Sequence, residues 1–173
     1  MTKHIAIKLG NMNADEVARL LDMVADSADV DDAPEDDGSA EADDAGIEAV
    51  HALADASKRL AKCRDLLVGA AADVDSGEGD AAREAVEAFS RATHEAESAR
   101  YGVNDVADGI GNKGAREDLR EACWRIWLAK TATSAAGEAA GRGDGGLAAR
   151  MAGDAVEDVL AAVGLVTVAV MAL

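Results

Sequence analysis

Three sets of residues in this chain have types and spacings that suggest chemistry. Gly109, Gly111 and Gly114, in "DGIGNKGAREDLREAC" (108–123), satisfy G-x-G-x-x-G, the pattern whose backbone amides cradle a pyrophosphate. Glu48 and His51 stand three apart, like half of the carboxylate–histidine pair of di-iron helical bundles. Cys63 and Cys123 are the two thiols. Each set stands or falls by the surroundings its chemistry requires.

A dinucleotide turn needs an apolar strand running into the first glycine, so that a helix N-terminus faces the phosphates. Here "YGVNDVAD" precedes the glycines, a helical pattern whose Asp105 and Asp108 oppose an anion. The motif recurs in "GRGDGG" (141–146), again after a helical run, and no Walker pattern is present. Both segments read as turns between helices. A di-iron site needs a second Glu-x-x-His and further inward carboxylates. His94 has no Glu three places before it, and His51 and His94 both fall off the apolar seams. They read as solvated histidines, and His4 lies on the polar side of a short strand. Cys63 and Cys123 match no metal spacing and read as small buried hydrophobes of a reducing compartment, with a disulfide left open. Ser57, Ser90, Ser98 and Ser134 have no base that the sequence identifies. In the acidic stretch 26–45, a calcium loop with its glycine at Gly38 would put its first ligand at Ala33, so that register fails. No catalytic, cofactor-binding or metal-ligating residue is expected, and no enzyme.

Trp124 and Trp127, in "ACWRIWLAK", are spaced i, i+3 beside Ile126 and Leu128. They widen the apolar surface of their helix beyond one seam. Two roles fit, core packing and a protein interface, where Trp is enriched. Arg120, Arg125 and Lys130 form a basic patch around them, suited to the acidic 26–45 segment of the same chain or of a neighbour.

The elements that must position these residues are mostly helices. Leu53, Leu60 and Leu67 recur every seven residues, with Ala56, Cys63 and Ala70 three places after each, in a helix from Gly46. "DSGEGD" (75–80) breaks it. Ala82, Ala85, Phe89, Ala92, Ala96, Ala99, Val103, Val106 and Ile110 then follow at alternating steps of three and four. After the first glycine segment the seam resets to Ala115, Leu119, Ala122, Ile126, Ala129, Thr133, Ala136 and Ala140. A last helix runs from about Leu147 to Val163 with Gly164 as its cap. Nearer the start, "NMNADEVARLLDMV" predicts a helix with a capping box at Asn13 and Glu16, and Val17, Leu20, Leu21 and Val24 on one face.

The termini are linked: "HIAIKL" alternates like a strand, and "LVTVAVM" (165–171) is either its pairing strand or the end of the last helix. The expected fold is therefore mainly α. It is one domain over residues 1–173, a bundle of four to five Ala-rich amphipathic helices, with 26–45 an acidic, mobile loop and room for a two-stranded pairing of the ends. Ala-rich seams bring helix axes close, because small side chains cannot fill wide gaps.

Charge narrows the partners. The chain carries 34 Asp and Glu against 17 Lys and Arg, a net charge of −17. Residues 1–57 hold 15 acidic and 3 basic groups, and 58–173 hold 19 and 14. Such a field disfavours direct nucleic-acid binding. Asp outnumbering Glu and only six Lys suit a salt-loving or GC-rich source, and the small acidic, Ala- and Asp-rich style suits a viral one. No apolar leader opens the sequence, which implies a cytoplasmic protein. Val159 to Leu173 would reach only about 22 Å as a helix, short of a bilayer core of about 30 Å, so membrane anchoring is not expected. The leading functional expectation is a non-enzymatic interaction or assembly protein that works through helix–helix association, a homo-oligomer or bound to a protein partner. Trp124, Trp127, Arg120, Arg125, Phe89, Leu53, Leu60 and Leu67 are its interface candidates. The alternatives are an acidic inhibitor or nucleic-acid mimic that binds a basic protein, and a small metal enzyme built on Glu48 and His51.

Overall fold

A computed structural model describes residues 40–76 and 79–173. Four helices fill them: α1 (Ala40–Ser76), α2 (Gly79–Gly109), α3 (Lys113–Gly141) and α4 (Gly145–Val170). The connections are short, so consecutive helices run antiparallel, and α4 closes the ring by packing on α1 as well as on α3. The described residues contain no strand.

The breaks fall where the glycines do, for different local reasons. Asn112 caps α3, its side-chain oxygen accepting from Ala115 N at 3.2 Å. Asp144 caps α4 in the same way, accepting from Leu147 N at 3.0 Å. Between α3 and α4, Gly143 adopts φ 78°, the left-handed conformation that glycine takes without steric cost. Gly145 is different: a Cβ there would lie 2.7 Å from Val74 O, so its bare backbone lets the start of α4 rest on the end of α1.

One core runs through all four helices. Leu53, Leu60 and Leu67 are fully buried, as are Ala85, Ala92, Ala96 and Ala99 of α2 and Leu119, Ala122, Ile126 and Ala129 of α3. Phe89 is the one large aromatic inside, and it fits because Gly137 faces it: a Cβ at 137 would stand 3.3 Å from Phe89 Cβ. Small seams packed at close approach thus build the interior.

Three boundaries differ from the sequence reading. Helix α1 begins at Ala40, so residues 40–45 of the expected acidic loop are helical. Helix α4 begins at Gly145, where Asp144 supplies the cap. It also continues through Gly164 to Val170, so neither the cap at Gly164 nor the strand at 165–171 forms. Val166, Ala169 and Val170 extend the buried stripe of Val159 and Val163, and Thr167 donates its hydroxyl to Val163 O at 2.8 Å. Packing that stripe outweighs the modest helix penalty of β-branched residues. The N-terminal strand with His4, the capped helix at 13–24, the calcium register at Ala33 and the rest of the acidic loop lie outside the described residues. No helix among the described residues is long and apolar enough to cross a membrane.

Candidate functional site

The glycine motif at 109–114 is a helix-to-helix corner. Gly109 ends α2 and Lys113 starts α3. The Asn112 amide donates to Ala172 O at 2.9 Å, and the Arg116 guanidinium donates to Ile110 O, so the corner is tied to both its own helix and the C-terminal residues. The capping Asn112 oxygen already takes the Ala115 amide that a phosphate would seek. "GRGDGG" is likewise the corner between α3 and α4.

Glu48 and His51 are both exposed on α1, and His94 is exposed on α2. Among the described residues no group of three His, Cys, Asp or Glu side chains is placed to hold a metal ion. Both cysteines are free thiols. Burial, reinforced by the Glu95 charge, pushes Cys63 up to about 12. Cys123 is half-buried, and burial also raises its thiol, with Arg100 opposing the shift and Asp108 adding to it. Neither is an activated nucleophile.

The interface candidates divide. Leu53, Leu60, Leu67 and Phe89 lie inside the chain's own core, at most 1% exposed, so they offer nothing to a partner. Trp124 and Trp127 point outward at 52% and 42% exposure, stacked with ring centroids 4.8 Å apart and planes 18° from parallel. Tyr101 is 55% exposed on α2. It leaves the helix near the level of Trp124, because Cys123 Sγ donates to the carbonyl of its neighbour Arg100 at 3.8 Å. Three of the chain's four aromatic side chains thus sit on the outer surface of α2 and α3.

Ion pairs cross that surface. Arg125 joins Glu121 on its own helix at 3.2 Å and Asp158 of α4 at 3.1 Å. Lys130 meets Glu97 of α2 at 2.5 Å, and this hydrogen bond holds the Glu97 carboxyl below the usual range. Two of the three cations of the expected basic patch are therefore committed within the chain, while Arg120 stays exposed with no ion pair among the described residues. Arg120, Trp124, Trp127 and Thr131 are all exposed, at steps of four, three and four. That is a second stripe at coiled-coil spacing, on the face opposite the seam.

Sequence reasoning missed Tyr101, although its place between Ala99 and Val103 of the seam puts it on the outer side of α2. It also missed Glu95, a mostly buried carboxylate that binds Lys62 at 2.6 Å and Arg59 at 3.5 Å and so ties α2 to α1. Nothing local marks Glu95, since its partners come from another helix. No family model matches the chain, and no curated protein or solved structure matches it.

Proposed function

We propose that this chain is a non-enzymatic interaction protein that receives a partner helix on the outer face of α3. One observation carries the reading: a protein that builds its interior almost wholly from Ala, Val and Leu leaves Tyr101, Trp124 and Trp127 outside, with the two tryptophans stacked on each other. Exposed aromatic groups cost solvation that burial against a partner recovers, and Trp and Tyr dominate binding hot spots. The stripe from Arg120 to Thr131 has the spacing that a helix can match, whether from a second copy or from another protein. The seams are buried in the chain's own core, which is why this reading looks to the outer face for association.

The test pairs Trp124→Ala/Trp127→Ala with Phe89→Ala as a control for folding. The tryptophan variant should keep its helicity and lose about 1 kcal/mol of stability or less, since both rings are half-exposed. Phe89→Ala should lose roughly 3–5 kcal/mol. Light scattering and crosslinking in the native host should find an association that the double variant weakens at least about tenfold, as expected for a hot spot. A monodisperse monomer without a crosslinked partner, or an association indifferent to both substitutions, refutes the proposal. Binding that ignores the tryptophans and disappears above roughly 0.5 M salt would instead mark the acidic, nucleic-acid-mimicking alternative.

A further inference from the structure

The exposed stripe of α3 runs beyond Arg120 and Thr131 in both directions. Lys113 and Glu117 precede Arg120 by steps of four and three, and Ser134 and Glu138 follow Thr131 by three and four, all exposed. From Lys113 to Glu138 this face of the helix is about 38 Å long. Its charges stand at the two ends, and the four positions between Arg120 and Glu138 carry none. With Arg142, exposed one turn after Glu138, the face holds three cations and two anions. On a chain of net charge −17, this is a face with no excess of negative charge to repel another acidic molecule.

We infer that a second copy of this chain covers the face, its α3 lying antiparallel to the first across a two-fold axis. This rests on the reading of the outer face of α3 as an interface, and it names the partner. In such a pair each contact occurs twice, residue i on residue j and j on i. One register satisfies the stripe layer by layer: Arg120 opposite Glu138, Trp124 opposite Ser134 and Trp127 opposite Thr131. Each central layer then sets a bulky ring over a small hydroxyl side chain, so the two helices close without a gap. Each end joins opposite charges. Glu138 meets only the exposed Arg142 at 3.6 Å within its own chain, which leaves its carboxylate able to accept from a second cation. Other arrangements lose these matches. Slipping the antiparallel pair by a heptad sets Trp124 on Trp127 in one direction and Trp127 on Glu138 in the other. A parallel two-fold pair sets every charge against itself.

Sedimentation equilibrium of the full chain tests the arrangement, at about 0.15 M salt so that the net charge is screened beyond about 8 Å. The native chain should show a reversible monomer–dimer equilibrium. Arg120→Glu and Glu138→Arg, each alone, place like charges at both symmetry-related contacts and should weaken the dimer at least about tenfold with helicity unchanged. An equimolar mixture of the two variants should associate to within about threefold of the native strength, because both contacts in the mixed dimer again join opposite charges. A folding defect in either variant could not be repaired by mixing. A chain that stays monomeric up to about 1 mM overturns the inference. So does a dimer indifferent to both reversals, or a mixture no tighter than its components. A monomeric chain that still loses a crosslinked host partner on Trp124→Ala/Trp127→Ala overturns this inference alone and leaves the interface reading standing.

Discussion

Cys63 illustrates how burial silences a reactive group. Its thiol lies at 0% exposure within the α1 seam, and loss of solvation, then the nearby Glu95 charge, raises it to about 12. In the unfolded chain the same thiol titrates near 8.5. The folded value is the higher, so the contribution to stability is complete below about pH 8.5 and is lost as the pH rises toward 12. The urea midpoint of the native chain should therefore fall more between pH 8 and 10.5 than that of Cys63→Ala, and a thiol reagent should modify Cys123 well before Cys63. Equal labelling rates would show that Cys63 is not sealed. Glu97 works in the opposite sense. Its lowered carboxyl favours the fold above the ordinary carboxylate range, and that contribution disappears as acid protonates it and releases Lys130.

Among the helices and corners, glycines with the same sequence signature do different work. Gly145 permits a backbone contact with Val74 that no side chain allows, whereas Gly111 stands in open space within its corner. Gly145→Ala should cost roughly 1–3 kcal/mol through forced displacement of α4. Gly111→Ala should be neutral or stabilise by up to about 1 kcal/mol, by restricting the unfolded chain. Urea denaturation measures both, and comparable losses at the two positions would contradict this division. The same reasoning explains why α4 overran its expected end. A glycine with no contact and no left-handed conformation is no helix stop when a buried stripe continues beyond it.

Across the whole molecule, the dominant field is self-repulsion. Inter-helix pairs such as Arg125–Asp158 and Lys62–Glu95 are local attractions, yet acidic groups outnumber basic ones two to one. Added salt shortens the screening length from about 30 Å at 0.01 M to about 3 Å at 1 M, which removes the long-range repulsion first. The melting temperature should rise by roughly 2–6 °C over that range, corresponding to about 1–2 kcal/mol for a chain of this size. A falling melting temperature would mean that the ion pairs outweigh the net charge.

The helical class, the buried seams and the corner role of both glycine motifs were legible in the residues alone, because a period of three and four places apolar side chains on one face whatever they later touch. The direction in which Trp124 and Trp127 face was not. Either role fitted the spacing, and the choice depended on how α2 and α4 divide the surface of α3 between them. Partnerships across helices, such as Glu95 with Lys62 or Asn112 with Ala172, came only with the tertiary structure. Local pattern sets which face of a helix is buried; long-range packing decides which neighbour buries it, and what is left uncovered.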